Sequence, residues 1–177
     1  MRITELKRRD YDGFELLMDY DTSCYYALRE RGGGTMVTYE LVKTPCPRRH
    51  VEWTGKLFEL RWDDPRVYGV WDGQTMAALM EVTPEIAFNR LRITGLFVDE
   101  NYRRQGVGRM LVSRAAEIAA GQRRRCLVAR VQSDNWGAIV FAGEVGMKIV
   151  GFDAFGYANG TAGGGAFPIE LGMEIKS

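Results

Sequence analysis

The sequence predicts one α/β domain built around a mixed sheet, and three observations carry that expectation. From Arg66 onward, segments of strand and helix character follow as three strands, a helix, a strand, a helix and two strands. Asp72-Gly73 separates two apolar runs, as a hairpin turn would. The stretch from Val98 to Arg109 reads as a strand that ends, a basic loop with two glycines, and the start of a helix.

Residues 2–6 read as a first strand. Residues 11–31 hold a candidate helical segment, which Gly32-Gly33-Gly34 breaks. Residues 35–42 have strand composition, and residues 43–64 are the least readable part of the chain. His50 there follows Pro47-Arg48-Arg49 and reads as a solvated loop residue. Trp53, Phe58 and Trp62 fit the core first, or the wall of a substrate pocket.

Val67–Trp71 and Thr75–Val82 flank the turn signal, and Leu91–Thr94 runs into Leu96–Val98 as another strand. Val107, Met110, Leu111, Ala115, Ile118 and Ala119 form an apolar stripe at helical spacing, with Gly121 as the stop. A strand is expected at Cys126–Gln132, with Cys126 in the core. A short helix follows at Asn135–Val145, capped by Asp134 or Asn135 and stopped by Gly146. Met147–Phe155 reads as a strand. Phe167, Ile169, Leu171, Met173 and Ile175 alternate with polar or small residues, so the last strand should be half-buried. The glycine-rich run 156–165 is either a long hairpin connection or a flap over a pocket.

The chain has 177 residues, 46% hydrophobic and 27% charged, enough for one domain with a full core. Its net charge of +1 gives no overall field for nucleic acid or an acidic membrane. No apolar run approaches the ~18 residues of a membrane span. The first seven residues lack the apolar core of a signal peptide, so a cytoplasmic location is expected. One histidine and three cysteines without metal spacing argue against a metal centre or a Ser-His-Asp triad.

A helix start carries backbone N–H groups with no partner inside the helix, and its dipole favours negative charge. With Arg103, Arg104 and Arg109 around such a start, and glycines to admit a ligand, the loop suits an anion, a pyrophosphate above all. The glycine spacing fits neither a P-loop nor a Rossmann fingerprint.

The pattern [Q/R]-x-x-G-x-[G/A], filled by Arg103, Gly106 and Gly108, resembles the acyl-CoA loop of the GNAT superfamily of N-acetyltransferases. Residues 66–175 resemble that fold in element order, and the first 65 match it loosely. Asn89–Thr94, Gln132–Asn135, Ala138, Phe141, Gly146, Gly151–Asp153 and Tyr157–Asn159 resemble the streptothricin acetyltransferase-like branch. The resemblance implies a single GNAT-like domain over residues 1–177. Its sheet would be mixed and mostly antiparallel, with a splayed parallel central strand pair and flanking helices.

It implies acetyl-CoA as co-substrate, no metal, and a small-molecule amine as acceptor, with streptothricin-like or aminoglycoside-like antibiotics as examples. Neither nucleic acid nor membrane is implied as a partner, and a homodimer is left open. The pyrophosphate would rest on the amides of Gln105, Gly106, Val107, Gly108 and Arg109, with charge from Arg103, Arg104 or Arg109. The pantetheine arm would lie along Leu96, Phe97 and Val98, and bond to the backbone of Leu96 and Val98. Asn135, Ala138 and Phe141 would meet it near the thiol; Asn135 caps its helix, contacts the arm, or does both. Arg123–Arg125 reads as a solvated turn, or as a contact to the 3′-phosphate.

The chemistry implied is attack of a neutral amine on a thioester, with the Leu96 N–H facing the developing oxyanion. Many relatives have a tyrosine proton donor where Ala142 stands, and acidic residues where Thr94 and Gly95 stand. Glu81 is therefore the acidic candidate for the base, or else an outward, solvated strand glutamate. Tyr157 is a candidate proton donor, or packs under the glycine-rich loop. A non-catalytic acyl-CoA-binding module and an acetyltransferase of protein lysines or N-termini are the competing functions.

Overall fold

Strand β1, Arg2–Leu6, pairs antiparallel with β4, Arg66–Asp72, in the computed structural model, which describes residues 1–156 and 166–176. Contacts group the chain into two compact units. Met1–Met18, Trp53–Ala129 and Gly172–Ser177 form the first, and Asp19–Glu52 with Arg130–Leu171 form the second.

In the first unit the strand order is β1-β4-β5-β6-β7, with β5 at Thr75–Glu85, β6 at Arg90–Val98 and the start of β7, Cys126–Gln132. The pairs from β1 to β6 are antiparallel, and β6 with β7 is parallel. A one-turn helix α1, Arg8–Tyr11, follows β1. Helix α2, Val107–Gly121, packs on β4, β5 and β6 through the buried Val107, Leu111, Val112, Ala115 and Ala119. That face is the stripe read from the sequence, with Met110 and Ile118 half-buried at its margin. A buried leucine such as Leu111 contributes about 2 kcal/mol over an exposed one. Leu6, Leu16, Leu57, Phe58, Val67 and Leu79 form a further apolar cluster.

Helix α2 ends at Gly121, where the sequence placed its stop, but the left-handed residue that follows is not a glycine. Arg123, with φ 54°, takes the left-handed position, and the N–H groups of Arg123 and Arg124 close on the carbonyls of Ala120 and Ala119. Cys126 is half-buried; the core positions of this strand are Leu127 and Val128.

Residues 11–31 correct the sequence reading. Only α1 is helical there, and β2 runs over Glu15–Gly33. Strand β3, Met36–Lys56, pairs with it as a two-stranded sheet, so the stretch from Lys43 to Lys56 is strand and His50 sits on it. The glycine triplet makes the tip of this hairpin. Gly32 has φ +96°, and a Cβ there would lie 2.3 Å from the Met36 carbonyl oxygen. Near the base, Phe58 is core, Trp62 is half-buried and Trp53 is exposed.

The second unit holds most of that hairpin, helix α3 at Trp136–Glu144, strand β8 at Lys148–Phe152 and most of β9, Pro168–Glu174. Its sheet order is β7-β9-β8. Asn135 caps α3, accepting from Ala138 N–H at 3.1 Å, and Gly146 ends it with φ +91°. Strand β8 stops short of Phe155. Strand β9 is not half exposed: Pro168–Ile169 and Leu171–Gly172, which alternate between its faces, are all buried, and β7 and β8 pair with its two edges. Tyr157 and the rest of the glycine-rich run, residues 157–165, lie outside the described residues.

Candidate active site

The backbone of β6 sets out the first part of the site. Its ladder with β7 covers four residue pairs, from Arg90↔Cys126 to Ile93↔Ala129, so Thr94–Val98 extends past it. On the other side, Glu81 of β5 pairs with Gly95 and Val82 pairs with Ile93, which leaves Thr94 as the extra residue of a bulge. A bulge bends the strand and re-aims its edge.

Hydrogen-bond parity says which groups face that edge. Asp99 N–H donates to Ala77 C=O at 2.9 Å, two residues beyond the Leu79↔Phe97 pair. Phe97 and Gly95 therefore turn their backbone groups to β5, and Leu96 and Val98 turn theirs away from it. The Phe97 side chain packs on the apolar cluster of the first unit. Arg103 Nε donates to the Val98 carbonyl at 3.1 Å, on the edge this parity assigns.

The chain then enters α2. A single 3-10 turn, Glu100–Tyr102, is capped by the Asp99 side chain, which accepts from Asn101 N–H. Arg104, with φ 64°, and Gly106, with φ +82°, swing the backbone into the helix. The first helical bond is Met110 N–H to Gly106 C=O. The N–H groups of Gly106, Val107 and Gly108 precede it and donate to none of the described residues. A Cβ built on Gly106 would meet nothing within 4 Å, so the backbone there is open. Arg103, Arg104, Gln105 and Arg109 are exposed around it, with the Gln105 amide donating to Asn101 C=O at 2.6 Å. Unpaired amides, a helix dipole and three guanidinium groups make a seat for an anion.

Glu81 is not the outward, solvated residue that the sequence allowed. It is 3% exposed. Its Oε1 accepts from Phe58 N–H at 2.6 Å and its Oε2 from the Thr94 hydroxyl at 2.7 Å. Thr94 is half-buried, on the bulge. A Cβ on Gly95 would come 4.0 Å from Glu81 Cβ, so the carboxylate arrives from the neighbouring strand at the two positions that lack an acid.

At the other end of β5, Glu85 binds Arg92 Nε at 2.8 Å and also Arg90 Nε. Burial pushes the Glu85 carboxyl up, but the two guanidinium groups outweigh it and hold it below its ordinary range. Arg124 Nε donates to the Gln122 side chain within its own turn, while Arg125 Nε reaches the Phe88 carbonyl at 3.1 Å, in the turn before β6.

Within the second unit, Asn135 is half-buried at the start of α3, as are Ala138 and Phe141. The adjacent Asp134 is 2% exposed, and sequence reasoning gave it no role beyond a cap. Its Oδ2 binds Arg49 at 2.6 Å and its Oδ1 the Tyr20 hydroxyl at 2.7 Å. That hydroxyl is also 2.7 Å from Gln132 Oε1. The partners are 85 and 114 residues away along the chain, so no local pattern could have linked them. His50 Nδ1 lies 3.0 Å from Asp21 Oδ1. The Arg48 guanidinium, followed by His50, holds the Asp21 carboxyl below its ordinary range. Among the described residues no group of His, Cys, Asp and Glu could hold a metal ion, and no helix is long and apolar enough to cross a membrane.

Solved structures share this fold. A nourseothricin acetyltransferase matches with a TM-score of 0.75 at 22% identity, over 99% of this chain and 98% of its own. A protein assigned as a streptothricin acetyltransferase, from Bacillus anthracis str. Ames and in complex with acetyl coenzyme A, matches at 0.78 and 18%, over 99% and 97%. The ribosomal-protein-S18-alanine N-acetyltransferase of Escherichia coli matches at 0.54 and 21%, over 63% and 69%. No curated protein matches the chain by sequence. The acetyltransferase (GNAT) family profile matches residues 35–147, which is more than half of the chain. The chain belongs to the acetyltransferase (GNAT) family.

Proposed function

We propose that residues 1–177 act as one acyltransferase domain that moves an acetyl group from acetyl-CoA to a primary amine of a small molecule. The observation that carries this reading is the open start of α2, where the amides of Gly106, Val107 and Gly108 have no acceptor among the described residues. A diphosphate fits such a seat. Acetyl-CoA supplies the activated acyl group as a thioester. In this reading Gln105–Arg109 hold its diphosphate, and Arg104 and Arg109 add charge. The Leu96 and Val98 edge of β6 takes the amide-bearing arm. Asn135, Ala138 and Phe141 are assigned to the thiol end by resemblance. The full-length likeness to acetyltransferases of nourseothricin and streptothricin favours a small cationic antibiotic as the acceptor.

The acceptor arrives as an ammonium ion. With an ordinary alkylamine pKa of ~10.4, removing its proton at pH 7 costs roughly 4.6 kcal/mol. Glu81 is the base in this reading, with Thr94 as the relay. The ammonium gives a proton to the Thr94 hydroxyl oxygen, whose own proton passes to Glu81 Oε2. The freed nitrogen forms the C–N bond and the C–S bond breaks. The leaving thiolate has a reference pKa of ~8.5 and needs little acid help, which fits Ala142 in place of a donor. The Leu96 N–H faces the developing oxyanion.

Thiol release from acetyl-CoA over a panel of amines, polyamine antibiotics included, tests this. Turnover with a small amine is expected. Tight CoA binding without turnover on any amine would instead leave a binding module, and acetylation confined to proteins in a treated lysate would move the acceptor to a polypeptide.

A further inference from the structure

Lys43 holds its ammonium 4.2 Å from the ring centroid of Trp136, and the Tyr26 ring closes on the same indole at 5.3 Å and 56°. All three belong to the second unit. Trp136 is the first residue of α3, immediately after Asn135. Tyr26 is fixed beside it because its N–H donates to Ser133 C=O at 2.8 Å. Tyr26 and Trp136 are half-buried and Lys43 is exposed, so the group is open to a ligand. Among the described residues Lys43 makes no ion pair with a carboxylate.

We propose that Tyr26 and Trp136 form a subsite for an organic ammonium ion, and that Lys43 is its resident occupant, displaced when an acceptor amine arrives. Aromatic faces attract a cation through the ring quadrupole. A carboxylate would tie Lys43 down, whereas a contact with the Trp136 face alone lets one ammonium replace another at little net cost. The displaced lysine has a flexible stem and a strongly hydrated head, so water receives it readily. The lysine also shows what fits: a primary ammonium at the end of a straight aliphatic chain. This rests on the acceptor being an amine, as the proposed function holds.

The test is a titration of the whole protein with n-butylammonium and with its neutral counterpart 1-butanol, followed by NMR and without any acyl donor. Lys43→Met should tighten n-butylammonium about fivefold, the equivalent of about 1 kcal/mol for one cation–π contact. Binding of 1-butanol should not gain. Adding Trp136→Leu to Lys43→Met should erase the gain, and Trp136→Phe, the milder change, should keep part of it. Equal n-butylammonium affinity in the wild type and Lys43→Met would overturn the proposal. So would a gain that survives both Trp136 variants. Because binding is read without turnover, a protein that acetylates no amine would still answer this question, and a failed subsite would leave the acetylation assay standing.

Discussion

The Thr94 hydroxyl donates to Glu81 Oε2 at 2.7 Å, from the one residue of β6 that the pairing with β5 leaves over. Glu81 of β5 thus stands beside the positions that Thr94 and Gly95 hold on β6. The bulge sets the Thr94 hydroxyl against Glu81, one residue past the last β6–β7 pair, Ile93↔Ala129.

Glu81→Gln keeps an acceptor for the Phe58 N–H and removes the base. We expect kcat for thiol release to fall by about 100-fold or more, the usual contribution of general-base catalysis, with KM for acetyl-CoA little changed. Thr94→Val should lower kcat in the same direction, and Thr94→Ser should restore it. A kcat within twofold of wild type for Glu81→Gln, in a variant with an unchanged melting temperature, would remove Glu81 from the mechanism.

Glu85 sits between two arginines, and the Arg92 side chain is 7% exposed. Removing one partner strands a buried charge, so Glu85→Gln should destabilise the protein by about 3 kcal/mol at neutral pH. The Glu85 carboxyl is depressed in the folded protein. Its contribution is therefore complete above the unfolded value of about 4.3 and is lost as pH falls through the folded value. Melting curves from pH 3 to 7 should show the variant and the wild type converging in acid; a constant gap across that range would contradict the assignment.

The second unit has its own buried charge. Arg49→Met leaves Asp134 without its cation and should cost about 3 kcal/mol, while Tyr20→Phe, which removes a hydrogen bond to a charged group, should cost about 1.5 kcal/mol. Urea unfolding of the two variants gives the order. If Tyr20→Phe proved the more harmful, the ion pair would not be what secures the loop before α3.

The sequence revealed the β6 to α2 corner because its signals are local. Two glycines, a basic loop and a stripe from Val107 to Ala119 lie within seventeen residues of Arg103. The hairpin β2–β3 hid for physical reasons. Along β2 the alternation of Leu16, Met18, Tyr20, Thr22 and Cys24 is masked by Leu17, Tyr25, Tyr26, Ala27 and Leu28, which crowd both faces. On β3, Pro45 and Pro47 look like breakers. They are two residues apart, so their missing N–H groups fall on one edge, and a strand in a two-stranded sheet has an edge with no partner strand in that sheet. The partners of Glu81 and Asp134 escaped because folding alone brings them together.

The central claim is that the carrier's phosphates sit on the amides at the start of α2. Calorimetric titration of CoA into Gly108→Glu tests it most directly, since a carboxylate there would oppose the phosphates. We expect CoA affinity to fall by at least tenfold while the melting temperature stays near that of the wild type. Unchanged affinity in a folded Gly108→Glu protein would mean that CoA binds elsewhere.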